Sequence, residues 1–168
     1  MNDQTLSTQP ISSRPHMPGY GIVEARTGLV TWERVSQQMA QARNYWLTTT
    51  RPDGRPHAMP VWGVWLDETF YFGTGRSSVK GRNLAHNPAV SVHLESGDDV
   101  VILEGVVEEV SDRLLLRHIY DVYGQKYKLD MSANAEEGAE PTYALRPTTG
   151  FAWLEQDFPN TATRFTMR

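Results

Sequence analysis

Between Gly75 and Pro88 the chain reads Gly-Arg-Ser-Ser-Val-Lys-Gly-Arg-Asn-Leu-Ala-His-Asn-Pro. Ser77 or Ser78 can cap a helix running to about His86, and Asn87-Pro88 stops it. The positive end of a helix ordinarily attracts Asp or Glu. This first turn instead receives Lys80 and Arg82, and no acid occurs between Glu68 and Glu95. Each cation placed there costs about 0.3–1 kcal/mol unless something negative lies beside it. Backbone N–H groups, two hydroxyls and two cations together make a cradle for a small oxyanion such as a phosphate; the alternative is a solvated basic helix with no ligand.

A second stretch, Met59-Pro60-Val61-Trp62-Gly63-Val64-Trp65, offers a different surface. Pro60 forfeits a ladder hydrogen bond and so argues for an edge strand or a bulge. Gly63, set between two indoles, points to something packed closely on its backbone. An exposed strand edge with an indole wall suits a flat heteroaromatic ring. Trp62 and Trp65 equally suit a core or a subunit contact. One short strand separates the two stretches, so the ring and the phosphate of one ligand can reach both.

Other chemistry is thinly represented. His16, His57, His86, His93 and His118 show no metal spacing, and there is no cysteine. No Gly-x-Ser-x-Gly elbow or Walker-type loop is present. Glu95, Asp98 and Asp99 cluster on what reads as a hairpin turn. No catalytic side chain and no metal ligand is therefore assigned, and a reaction here would belong to a cofactor. The net charge of −4 argues against nucleic acid as a partner. No apolar run approaches the roughly 20 residues of a membrane span, and the N-terminus lacks a secretory apolar stretch. A soluble, cytoplasmic protein acting on a small molecule is the expectation.

These residues must be positioned by a frame of about three helices and seven strands. Residues 1–28, rich in Ser, Thr, Pro and Gly, read as a flexible or partly ordered arm, and residues 29–168 as a single domain. Thr31 caps a first helix with Trp32, Val35, Met39 and Ala42 on one face. Tyr45–Thr50, His57–Leu66 and Thr69–Thr74 form a meander, turning at Pro52-Asp53-Gly54 and Asp67-Glu68. Ala89–Glu95 and Val100–Val110 form a hairpin. Ser111 or Asp112 caps a further helix with a Leu115, Leu116, Ile119, Val122, Tyr123 stripe. After an acidic surface loop at Ser132–Pro141, strands resume at Thr142–Arg146, Gly150–Glu155 and Thr161–Met167. Short links make the pairing antiparallel, and so many strands suggest a closed or partly closed barrel: a mainly β, α+β fold.

Several ordered pieces resemble a known family. They are Arg51-Pro52-Asp53-Gly54-Arg55-Pro56-His57, Pro60-Val61-Trp62-Gly63-Val64-Trp65, Phe70-Tyr71-Phe72, Ser78-Val79-Lys80-Gly81-Arg82-Asn83-Leu84 with Asn87-Pro88, Val92 to Asp99, and Ala162-Thr163-Arg164-Phe165. The set is similar to the pyridoxamine 5′-phosphate oxidase-like split β-barrel superfamily, within it the flavin/deazaflavin oxidoreductase branch B. The resemblance implies an antiparallel split β-barrel, a homodimer with cofactor sites at the subunit interface, and a bound deazaflavin (coenzyme F420) or FMN. It implies phosphate contacts from Ser77, Ser78, Lys80, Arg82 and Asn83, with support from Thr74. The ring would lie along Met59, Pro60, Val61 and Trp62, with Arg164 near the cofactor or substrate. Many members carry Arg where this chain has Val79, one phosphate donor fewer, which favours F420 over FMN. Many members of the branch also carry Trp where this chain has Phe165. The strand holds Pro60 and Trp62 where the oxidase proper has basic residues, which argues against pyridoxamine phosphate oxidation. The implied activity is hydride transfer to a small unsaturated or quinone-like substrate. The alternative is a protein that binds or stores a flavin, F420 or haem without turnover.

Overall fold

The computed structural model describes residues 9–131 and 140–167; most of the acidic loop read at 132–141 lies outside them. In chain order the strands are β1 (Ile11–Ser13), β2 (Tyr45–Thr50), β3 (Pro56–Val61), β4 (Val64–Leu66), β5 (Thr69–Gly73), β6 (Ala89–His93), β7 (Asp99–Glu109), β8 (Thr142–Leu154) and β9 (Thr163–Thr166). The helices are α1 (Trp32–Gln41), α2 (Val79–His86), α3 (Arg113–Tyr127) and a single turn, α4 (Phe158–Thr161). All strands pair antiparallel in the order β1-β9-β8-β7-β6-β2-β3, with β4 and β5 branching from β8. The path does not close, which makes this an α+β split barrel.

The helices form where local chemistry directs them. Thr31 caps α1 through the Arg34 N–H, and Trp32, Val35 and Met39 are its buried residues. Asp112 caps α3 by accepting from the Leu114 and Leu115 N–H groups. Tyr45, Leu47, Phe70, Phe72, Leu103, Leu145 and Phe165 fill the interior and are all but inaccessible. Full burial of each such Phe or Leu contributes about 1.5–3 kcal/mol. A smaller layer of Val64, Tyr71, Ile119 and Ala144 lies beneath α3 on the outer side of β4, β5 and β8.

Four details differ from the sequence reading. The strand read as His57–Leu66 is two strands, because β3 stops at Val61 and β4 pairs with β5 instead. Thr142–Leu154 is one strand across Pro147, accommodated by a register shift opposite Glu104 and Gly105. Phe158–Thr161 forms a helical turn, so the last strand starts at Thr163. The N-terminal segment adds a strand: Ile11–Ser13 pairs with β9, and the Arg14 guanidinium donates to the carbonyls of Ala25, Thr27, Asn160 and Ala162.

Candidate functional site

Ser78 is the N-cap of α2, its Oγ accepting the Gly81 N–H at 3.0 Å. Thr74 Oγ1 lies 3.0 Å from the same oxygen, so Thr74 supports the cap from the end of β5. No Cβ fits on Gly81, where it would meet the Gly75 carbonyl at 2.2 Å. Ser77 is exposed, and its carbonyl accepts from the Arg82 guanidinium, which curls back over the helix start. Lys80 is half-buried and, among the described residues, has no hydrogen-bond or ion-pair partner. Asn83 is buried and donates its amide to Thr49 Oγ1 at 2.9 Å, fastening α2 onto β2. One of its two amide hydrogens is thereby committed to the fold.

The register of β2 and β3 sets His57 opposite Thr49, on the face that α2 covers. His57 Nδ1 is buried without a hydrogen-bond partner. Burial, then the charges of Arg51 and Lys80, hold its imidazole below the usual range. Arg51 of the β2–β3 turn and Lys80 of α2 thus both act on His57 of β3. Sequence reasoning did not place Arg51 and His57 in the site; the available signal was that they bound the Arg51–His57 piece of the family resemblance, at the turn between β2 and β3. Glu109 grips Arg76 with both oxygens, at 3.0 and 2.5 Å, and Asp53 is held by Arg55. A Glu140 carboxylate oxygen lies against Gly75, just ahead of the helix start, 2.6 Å from where a Cβ would stand.

β3 is the free edge of the sheet, as Pro60 required. Met59 is 42% exposed on the His57 side of the strand, and Trp62 is 38% exposed at its end. Asn44, Pro60, Val61 and Trp62 line a shallow cavity of about 290 Å³. His57 and Pro60 are three residues apart, about 10 Å of strand. Trp62 stacks on Tyr127 of α3 with ring centroids 4.5 Å apart and planes 9° from parallel, and Arg43 lies over both rings. The chain breaks here because Gly63 is claimed by its own protein. Its N–H donates to the Tyr127 hydroxyl at 3.0 Å, and its carbonyl accepts from Lys126 Nζ at 2.9 Å. A Cβ on Gly63 would lie 2.4 Å from the Phe70 ring. Trp65 is a core residue, its indole N–H bonded to Ser36 at 2.8 Å. Lys126 also donates to the Tyr45 hydroxyl at 2.7 Å, and burial pulls its ammonium down to about 8.

Residues 31–154 match the family described as pyridoxamine 5′-phosphate oxidase. The chain belongs to this family. Solved structures similar to it include a conserved hypothetical protein from Mycobacterium tuberculosis, 24% identical over 79% of this chain and 90% of that one, with a TM-score of 0.68. An F420 reductase is 24% identical over 68% of this chain and 94% of its own, with a TM-score of 0.55. HutZ, the heme storage protein of Vibrio cholerae, is 18% identical over 68% and 86%, with a TM-score of 0.57. No curated protein matches the chain.

Within this pyridoxamine 5′-phosphate oxidase fold the residues fit a phosphate: unpaired Lys80, a capped helix start without acids in its first turn, and the His57 imidazole on the side of β2 that meets α2. Arg164 stands apart. It is exposed on β9, separated from β2 by β8, β7 and β6. It does, however, end a cross-sheet row. Register aligns Pro60, Trp46, His93, Ile102, Phe151 and Arg164 on one outer face, with Trp46 stacked on His93.

Proposed function

We propose that the protein binds a phosphate-bearing flavin-type cofactor along β3 and transfers hydride or electrons to a small unsaturated or quinone-like substrate. Coenzyme F420 is favoured and FMN is the alternative. The observation that carries this reading is the unpartnered Lys80 at the capped start of α2, whose charge acts with that of Arg51 on His57, beside an exposed strand edge with its own cavity. Like charge placed in this way is costly without an anion and becomes favourable with one. The bound ring supplies the hydride chemistry. Lys80 and Arg82 hold the phosphate; Met59, Pro60 and Val61 give the ring a surface free of competing ladder bonds. Trp62, stacked on Tyr127 with Arg43 lying over both rings, closes one end and keeps water off it.

The active form in this reading is a homodimer with the cofactor sites at the subunit interface. An unpaired edge with exposed Met59 and Trp62 is ordinarily covered. A two-fold pairing of the outer faces would run one row against the other. Arg164, at one end of the row, would then approach Pro60 and Trp62 at the other end in the second copy. A storage role for a flavin, F420 or haem is the second reading, supported by the likeness to HutZ.

The absorption spectrum of freshly purified protein tests the cofactor class, since a flavin, a deazaflavin and a haem absorb differently. Turnover of reduced F420 or FMN with a quinone and tetrapyrrole panel separates enzyme from store. A colourless protein that takes up none of the three would overturn both readings.

A further inference from the structure

We infer that the Trp62 end of β3 is a separate anion subsite, where Arg43 of the α1–β2 loop holds the carboxylate of a small planar substrate. This rests on the cofactor site proposed above and names the chemical class of the molecule that meets it there.

Arg43 is exposed, and its guanidinium carbon lies 5.2 Å from the Trp62 ring centroid and 5.5 Å from that of Tyr127. A ring face attracts the cation without satisfying its fork of N–H donors. Among the described residues no carboxylate pairs with Arg43 and no acceptor takes those donors. Arg34, Arg55, Arg76 and Arg146, by contrast, each face an acid. The loop is also held in place. Tyr127, buried at the end of α3, has hydroxyl bonds to the Arg43 carbonyl at 2.7 Å and the Gly63 carbonyl at 2.9 Å, and accepts the Gly63 N–H at 3.0 Å. One residue thus fixes the Arg43 backbone, stacks on Trp62 and secures the chain after it. Asn44, the next residue, lines the cavity with Pro60, Val61 and Trp62, so Arg43 stands at its edge.

A second cation lies behind the first. Lys126 Nζ is 4.8 Å from the Tyr45 ring centroid and 5.3 Å from that of Tyr127, and it bonds only to neutral oxygens, the Tyr45 hydroxyl and the Gly63 carbonyl. Five residues of strand, about 16 Å, separate His57 from Trp62. One phosphate therefore cannot neutralise both ends of β3: Lys80 and Arg51 act at one, Arg43 and Lys126 at the other, with uncharged Met59, Pro60 and Val61 between them. A cavity of about 290 Å³ is at the small end of ligand sites, which begin near 300 Å³, and suits one or two fused rings. A carboxylate on that ring matches the guanidinium fork, and Asn44 can add an amide N–H. A neutral molecule of the same shape loses the charge-assisted pair, so the subsite selects by charge.

The test titrates 2-naphthoate and its neutral isostere 2-naphthamide into cofactor-free and FMN-saturated protein, read by calorimetry. Wild type should bind the carboxylate about tenfold more tightly than the amide, a preference that shrinks in about 0.5 M salt. Arg43→Gln should abolish the preference. Arg43→Lys, which keeps the charge and loses the fork, should retain about threefold, as should Tyr127→Phe, which keeps the stack and releases the Arg43 carbonyl. Equal binding of the two probes by wild type, a preference that survives in Arg43→Gln, or no binding to either form of the protein would overturn the inference. Direct FMN and F420 titrations report on the cofactor reading by themselves. Cofactor binding without a carboxylate preference keeps that reading and sinks this one; a protein that takes up neither cofactor yet favours naphthoate keeps the subsite alone.

Discussion

Lys80→Ala should strengthen the empty protein and weaken the loaded one. Lys80 occupies the second position of α2, after the Ser78 cap and Val79, where the helix carries its partial positive charge. It has no acid partner, and it adds to the positive field on His57. Removing it relieves about 0.3–1 kcal/mol of unfavourable helix electrostatics. For a chain of this size that corresponds to about 1–4 °C in melting temperature, upward. The loaded protein loses a charge-assisted hydrogen bond of about 1.5–3 kcal/mol, so affinity for FMN or F420 should fall roughly 10- to 150-fold. Thermal melts of the apo variant and fluorescence titration with each cofactor measure the two effects. The His57 titration should move up in the variant, because one of its two cationic neighbours is gone. A variant that melts lower while binding normally would refute the reasoning, since Lys80 would then be holding the fold and not the ligand.

Gly63→Ala should cost about 1–3 kcal/mol by overpacking, because its Cβ would lie within 2.6 Å of both the Phe70 ring and the Tyr71 carbonyl; chemical denaturation reads the loss. Asn83→Leu strips the buried Thr49 hydroxyl of its donor and should cost about 1–3 kcal/mol. Affinity kept within about twofold would leave Asn83 a fold residue alone; weakened binding at unchanged stability would make it a phosphate contact as well. Lys126→Met should fold well, since Tyr45 keeps its bond to the Met39 carbonyl and the Gly63 carbonyl keeps Tyr127. The pH dependence carries the sign. The Lys126 ammonium, near 8 when folded against 10.5 in the open chain, contributes its full share to stability above 10.5 and loses it as pH falls through 8. The wild type should therefore gain on Lys126→Met between pH 7 and pH 10 in denaturation series; a flat difference would mean that the amine is solvated.

The features legible in the sequence are those decided by neighbours. Thr31, Ser78 and Asp112 are caps because their own side chains reach an N–H two or three residues on. Asp67-Glu68 turns a two-residue hairpin, both residues taking positive φ. Pro60 announces an edge because it lacks a donor. The break after Val61 was not legible, although Gly63 drew attention to the place. What approaches the Gly63 backbone is Tyr127 and Lys126, more than 60 residues downstream, and no local pattern encodes that partner. β1 escaped notice because three residues pairing with the last strand carry no periodicity of their own.

The site divides along the same line, and the division bears on what the sequence can establish in this family. Ser78, Lys80 and Arg82 were visible because a cation at a helix start violates a local rule, so the violation can be seen without knowing the fold. Arg51 and His57 break no local rule: a basic turn and a histidine on a strand are each unremarkable. They become unusual only once β2 and β3 pair and α2 is fastened over them by Asn83 and Thr49. The charges of Arg51 and Lys80 then act on one imidazole, though neither sequence distance nor composition joins the three. A site assembled by pairing register is therefore under-read by motif, and its residues surface as unpaid electrostatic costs in the folded chain: an orphan imidazole nitrogen, an ammonium without a partner. Arg164 is remote from the ring cavity along one chain, and in the proposed homodimer the cross-sheet row it shares with Pro60 is what would bring it back from a second copy.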